Sequence, residues 1–190
     1  MKEHIRPAIT VFIILTVITG IIYPLAVTGI AQIFFHTQAN GSLIVKDGKT
    51  IGSSLIGQNF DDPKYLWGRL SATSPAYNAA ASSGSNLGPL NPAVTSNAQG
   101  RIDALKAADS KNNTSVPVDL VTSSGSGLDP HISLAAASYQ IPRIAQVRGL
   151  PQATVKAIVE QNTTGRFLGL LGEPVVNVLN VNLTLDTYKK

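Results

Sequence analysis

The sequence predicts an α+β protein built as one N-terminal transmembrane helix followed by a single small extracytoplasmic α+β domain. Three observations carry this expectation. An apolar, uncharged run lies near the N-terminus, basic residues flank its N-terminal side, and short β-rich runs alternate downstream with helical segments. A length of 190 residues fits one domain plus an appendage. Only 14% of the residues are charged against 44% hydrophobic, well below the charged share of about a quarter in soluble domains.

That imbalance is concentrated. From Ala8 to Phe35, 28 residues contain no ionisable side chain except Tyr23. As a helix the run is roughly 42 Å long against a hydrocarbon core of about 30 Å, so it spans a bilayer with tilt. Pro24 cannot donate a backbone hydrogen bond, which predicts a kink near Gly20–Pro24. A cleaved signal peptide has an apolar core of about 7–15 residues, and this run is longer. Thr37-Gln38-Ala39 also makes a poor cleavage site, so the run is read as an anchor. Lys2 and Arg6 precede it, whereas Lys46 and Lys49 lie ten or more residues beyond its end. The positive-inside rule then puts residues 1–7 in the cytoplasm, the anchor at 8–35 and residues 36–190 outside. Thr16, Gly20, Pro24 and Thr28 recur every four residues as a stripe of small side chains. Such stripes let a second transmembrane helix approach closely, making Thr16, Gly20 and Thr28 candidate partner contacts.

The chain has no cysteine, which is compatible with export. From Gly41 onward, 13 basic and 10 acidic residues leave a net charge of about +3. Basic residues interleaved with aromatics, the mark of a nucleic-acid surface, are missing, so the expected surroundings are lipid and protein and not nucleic acid.

Beyond the anchor, apolar residues on both sides of Lys46-Asp-Gly-Lys49 predict a hairpin turning at Asp47-Gly48. Residues 61–92 are rich in Gly, Pro, Ser and Asn yet carry Tyr65, Leu66, Trp67, Tyr77 and Leu87. A disordered linker rarely holds a chain's only tryptophan, so the stretch is read as ordered and irregular, packed on a partner or on the core. Asn91-Pro92 predicts a helix start, with the helix running to about Ala108. Val116–Thr122 is read as a short strand and Ser123–Gly127 as a turn. Ser133 should cap a helix that ends at Gly149 and is kinked or split after Gln140 by Pro142. A further helix is expected over Pro151–Gln161 and a β-segment over Val175–Val178. Asn180–Tyr188 could be helix or strand.

Catalytic and metal-binding patterns are weak. There is no His-x-x-x-His or Cys-x-x-Cys spacing and no Gly-x-Ser-x-Gly elbow. Gly48-Lys49-Thr50 lacks the glycine that a phosphate loop needs five residues earlier, where Leu43 stands. Asp61-Asp62 is read as turn decoration. In Val121–Asp129 the loop Ser123, Ser124, Gly125, Ser126, Gly127 could cradle an anion through backbone amides. The plainer reading is a connection whose glycines take positive φ and whose Asp129 and Ser133 cap the next helix.

An ordered set of segments resembles the C subunit of the Kdp-type potassium-transporting ATPase. The segments are Asn40-Gly-Ser-Leu-Ile44, Gly57-Gln-Asn-Phe60, Gly68-Arg-Leu-Ser-Ala72, Gly84-Ser-Asn-Leu-Gly-Pro89 and Val116-Pro-Val-Asp-Leu-Val-Thr122. They continue with Ser126-Gly-Leu-Asp-Pro-His-Ile-Ser133, Tyr139-Gln-Ile-Pro-Arg143 and Leu171-Gly-Glu-Pro174. The likeness runs from the anchor almost to Lys190. Leu70 and Leu134 stand where the family usually has proline, and Ser83 where it usually has glycine; all three lie in turns or at a helix start.

The resemblance implies a non-catalytic subunit working with a channel-like potassium-binding subunit and a P-type ATPase subunit. It implies no firm cofactor of its own, with ATP reaching the complex through the catalytic subunit. Two roles follow. One is a catalytic chaperone that raises the catalytic subunit's ATP affinity through the Gly/Ser loop; the other is assembly of the complex and shaping of the outer potassium entrance. An extracytoplasmic Ser123–Gly127 loop could not meet cytoplasmic ATP, which favours the second. A free-standing anchored binding or sensor module, or an anchored hydrolase, would be the alternatives from other classes. Tyr65 and Trp67 are the expected partner contacts in the domain, and Trp67→Ala is expected to weaken complex recovery while leaving the domain folded.

Overall fold

The computed structural model describes residues 2–188, and the chain forms two compact units, Met1–Ser53 and Ser54–Lys190.

In the first unit, α1 (Lys2–Val17) and α2 (Tyr23–Phe34) join through a π-helical turn, Ile18–Ile22. Residues Glu3–Phe34 make one helix long and apolar enough to cross a membrane. The predicted disturbance at Gly20–Pro24 takes the form of this wide turn. The Tyr23 N–H donates to Ile18 O, five residues back, which makes room just before Pro24, whose ring would otherwise press on the carbonyl four residues earlier. Thr16 and Thr19 turn their hydroxyls onto Phe12 O (2.8 Å) and Leu15 O (2.7 Å), so neither donor is left unpaired in an apolar setting.

A helical turn, α3 (His36–Ala39), leads to the hairpin of β1 (Leu43–Lys46) and β2 (Lys49–Ser53). Its two-residue turn is the expected Asp47-Gly48, with φ of +51° and +74°. That left-handed pair matches the twist of the strands, and glycine takes it without a Cβ penalty.

In the second unit a three-stranded antiparallel sheet has the order β3 (His131–Ser133), β5 (Val175–Asn177), β4 (Thr163–Thr164). It is flanked by α5 (Leu134–Arg148), α6 (Gln152–Gln161) and α7 (Val178–Leu185). The helix α4 (Pro92–Ala108) begins as expected, with the Asn91 side chain accepting from the Ala93 N–H. Ser133 caps α5 through the Ala136 N–H, and Gly149 closes it at φ +63°. The helix continues through Pro142 without a break. The segment that could have been helix or strand is α7, whose Val178, Val181, Asn182 and Leu185 are buried at the spacing of one helical face.

One expectation is corrected. Val116–Thr122 is not a strand: Val118–Leu120 forms a 3₁₀ turn after Pro117, closed by Leu120 N–H to Pro117 O and Val121 N–H to Val118 O. Proline lacks the N–H a ladder needs, and the turn sends Leu120 into the core while Asp119 accepts from the Ser133 N–H at 2.8 Å. The two-residue β4 and three-residue β3 had no sequence signal.

The core gathers Ile132, Ala136, Ile144, Val155, Ile158, Val176, Val181 and Leu185 around Leu66, Trp67 and Leu120. Burying each large aliphatic side chain contributes about 1.5–3 kcal/mol.

Candidate functional site

The irregular segment after Ser54 is ordered, and it packs on the domain's own core. Leu66 is fully buried and Trp67 is 4% exposed. Neither residue belongs to a regular element, so their backbone groups need other partners. Two buried side-chain amides supply them. Asn182 on α7 accepts from the Leu66 N–H (2.8 Å) and donates to Leu66 O (2.9 Å). Gln140 on α5 accepts from the Trp67 N–H (2.9 Å) and donates to Trp67 O (3.1 Å). Each amide thus replaces a neighbouring strand.

Two guanidinium groups approach the Trp67 ring, Arg101 at 4.8 Å and Arg143 at 4.7 Å from its centroid. Its indole N–H donates to Asp62 O at 2.9 Å. Arg143 is nearly inaccessible; it donates to Gln140 Oε1 (2.6 Å) and Pro63 O. Burial pushes its guanidinium down to about 10, which leaves it protonated at neutral pH. Arg101 donates to Gly68 O (2.8 Å) and Leu120 O (3.3 Å). Both arginines therefore act as clamps on the irregular backbone. Sequence inspection missed them; the only trace was Gln140 and Arg143 spaced one helical turn apart.

Tyr65 is half-buried and lies against Phe60, with Lys64 and Arg148 over its ring. Its hydroxyl donates to Asp186 (3.0 Å), which also receives Arg148 (2.8 Å). Burial first, then that bond to Asp186, raises the phenol above its usual range. Of the two aromatics expected to meet a partner, Tyr65 offers part of its surface and Trp67 almost none.

The Gly/Ser loop is sewn to residues 69–84. The Ser124 N–H donates to Leu70 O (3.4 Å) and the Gly127 N–H to Ser124 O (3.3 Å). Ser126 O accepts from the Ser83 N–H and the Ser82 hydroxyl, both at 3.0 Å, while Ser71 donates to Gly127 O at 2.7 Å. Arg69 reaches Ser123 O and Asp129, each at 3.2 Å. Ser124 and Gly127 are buried, Ser123 is half-buried, and only Gly125 and Ser126 are exposed. Two of the loop's amides and four of its carbonyls thus serve internal structure. Ser133 caps α5 as the plainer reading expects, and Asp129 accepts from the His131 N–H (2.9 Å).

Gly127 has φ +69°, and a Cβ there would lie 2.6 Å from Ser83 O and 2.8 Å from Thr73 Cγ2. Gly125 has open space around it. Gly127→Ala is therefore expected to destabilise the domain by about 2 kcal/mol or more, whereas Gly125→Ala should stay within about 0.5 kcal/mol. Chemical unfolding of both variants checks this.

Thr16, Gly20 and Thr28 all lie on the exposed helix of the first unit, with Gly20 inside the π turn and open space where its Cβ would be. Among the described residues no group of three or more His, Asp or Glu side chains is placed to hold a metal ion. Another feature went unnoticed in the sequence: the Phe167–Leu171 tip of the β4–β5 connection is exposed and apolar. Its signal was Phe-Leu-Gly-Leu-Leu-Gly, an apolar run punctuated by glycines with no helical or strand period.

Comparison with known proteins agrees with the resemblance. A family model described as KdpC, the c chain of a K+-transporting ATPase, matches residues 5–187. A protein of Dechloromonas aromatica named potassium-transporting ATPase KdpC subunit is 61% identical over 191 residues, covering all of both chains. One of the same name from Polaromonas naphthalenivorans is 63% identical over 100% of this chain and 97% of its own. A third, from Herpetosiphon aurantiacus, is 61% identical over 100% and 98%. With identity this high along its whole length, the chain belongs to the KdpC family, the c chains of K+-transporting ATPases.

Proposed function

We propose that this chain is a membrane-anchored, non-catalytic accessory subunit of an ATP-driven potassium importer. Its partners are a channel-like potassium-binding subunit and a P-type ATPase subunit, and its role is to hold them together and shape the outer potassium entrance. The observation that carries this reading is the full-length match to c chains of K+-transporting ATPases. Two structural features support it. The first unit carries a helix long and apolar enough to cross a membrane, as suits a helix that meets lipid and other helices, with Thr16, Gly20 and Thr28 as the close-approach stripe. The Gly/Ser loop spends much of its hydrogen-bonding capacity internally.

In this arrangement residues 1–7 are cytoplasmic, 8–35 cross the inner membrane and 36–190 lie outside. ATP is then bound and hydrolysed on the catalytic subunit alone. A second reading, a chaperone raising that subunit's ATP affinity, draws on the exposed Gly125 and Ser126 at the loop apex. The two differ in which side of the membrane the loop occupies. A cysteine at Gly125, in an otherwise cysteine-free chain, has open space and no strained backbone. Gly125→Cys is expected to react with a membrane-impermeant maleimide on intact cells. Labelling only after permeabilisation would reverse the topology and favour the ATP chaperone.

A further inference from the structure

We propose that the tip of the β4–β5 connection, Phe167–Leu171, is a preformed apolar plug. It seats in an uncharged apolar cleft on an integral membrane subunit of the same complex. The inference rests on the accessory-subunit reading above and adds the surface by which this domain grips its partner.

Four large apolar side chains are clustered here and left in solvent: Phe167 at 69% exposure, Leu168 and Leu170 at 79%, and Leu171 at 64%. Exposed apolar residues elsewhere in this unit are spread along the sequence, as on any surface. A concentration of this kind marks a contact surface. The tip also has a fixed shape. Phe167 and Leu171 exchange both backbone hydrogen bonds, at 2.8 and 3.0 Å, and the Gly169 N–H donates to Arg166 O at 3.0 Å. Below the tip, Arg166 donates to both carboxylate oxygens of Glu173 at 2.8 and 2.9 Å. Leu168 takes a positive φ of +52°, a conformation that costs a leucine energy, while its side chain stays in solvent. Pre-forming a loop before binding reduces the ordering cost of the complex.

Charge and composition choose the occupant. Lipid-inserting elements combine apolar side chains such as Phe and Leu with unpaired Lys or Arg for anionic headgroups, and with Trp or Tyr at headgroup level. This tip has neither Trp nor Tyr, and its collar is a closed Arg166–Glu173 pair with no net charge. A shaped, neutral, purely apolar plug fits a protein cleft better than a headgroup layer.

The test uses the full chain co-expressed with the other subunits of its complex, one of them tagged. The double variant Leu168→Asn, Leu170→Gln changes only exposed side chains, and asparagine tolerates the positive φ at 168 better than leucine, so its unfolding midpoint in detergent should equal or exceed the parent's. Its recovery with the tagged subunit is expected to fall about tenfold. A photoreactive side chain placed at position 170 should cross-link to an integral membrane subunit. Full recovery of the double variant, or cross-linking only to lipid or to a second copy of this chain, overturns the plug. In those cases co-purification of the parent chain still upholds the accessory-subunit reading. If the parent chain itself fails to co-purify, both fall.

Discussion

Trp67→Ala should destabilise the Ser54–Lys190 unit by about 4–5 kcal/mol, enough to unfold a domain of ordinary stability or leave it marginal. The largest part is the cavity left by a side chain that is 4% exposed among Leu66, Leu120 and the helices; truncating a buried aromatic to alanine costs about 3–5 kcal/mol. The arginine clamp adds to it. Arg101 and Arg143 each lose the ring face they cover at under 5 Å, an interaction of about 0.5–2 kcal/mol when partly desolvated. Neither of their own side-chain hydrogen bonds is to a carboxylate, so without the ring their charge is less well compensated. Because Trp67 is the chain's one tryptophan, the variant must be followed by far-ultraviolet circular dichroism during urea unfolding of the full chain in detergent. Trp67→Phe, which keeps a π face, should retain most of the midpoint. An unchanged midpoint for Trp67→Ala would remove this ring from the core and return it to the surface role that sequence composition suggested.

That reversal marks where sequence reasoning runs out. The aromatic-studded stretch around Trp67 was legible as ordered, since aromatic residues are seldom spent on a linker. What orders it was not legible, because its partners are Gln140 and Asn182, 73 and 116 residues further along. No local pattern encodes a pairing between a side-chain amide and a distant backbone. Features set by neighbours in sequence fared differently. Asp47-Gly48 makes the hairpin turn, Asn91-Pro92 opens α4, and Ser133 and Gly149 bound α5. In each case a residue's own φ preference or side-chain oxygen decides the outcome within four positions.

The 3₁₀ turn at Val118–Leu120 failed for the complementary reason. Its apolar residues fit a strand, but Asp119 is held by the Ser133 N–H and Leu120 by the core, both distant in sequence. The candidate site divides along the same line. The Gly/Ser loop was visible as a motif, yet its bonds to Ser71, Ser82 and Ser83 come from a segment 43 to 56 residues earlier. Only those bonds reveal how far the loop's carbonyls are committed to the domain's own structure. The Phe167–Leu171 tip was hidden because burial, and not hydrophobicity, separates a core run from a docking surface.

Asn182→Leu should cost about 2–5 kcal/mol although it adds apolar volume to an apolar interior. Asn182 is 1% exposed and occupied at both ends by Leu66, its oxygen taking the N–H and its nitrogen giving to the carbonyl. Leucine offers neither, and each buried backbone group left without a partner costs about 1–3 kcal/mol. Gln140→Leu should cost at least as much, since Gln140 Oε1 also receives Arg143 at 2.6 Å, and a buried cation that loses an acceptor is penalised more than a neutral group. Hydrogen exchange separates these effects residue by residue. In the parent chain the Leu66 and Trp67 amides, though in no helix or strand, should exchange as slowly as the centre of α5, because opening either requires breaking the core. Asn182→Leu should speed Leu66 selectively and Gln140→Leu should speed Trp67, each while the other amide stays protected under conditions where the domain is folded. Fast exchange at both positions in the parent would mean that the irregular segment opens on its own and that the two amides do not hold it. Selective loss would establish that this domain is closed by two side chains acting as substitute strands, which ties the shape of the 54–91 segment directly to α5 and α7.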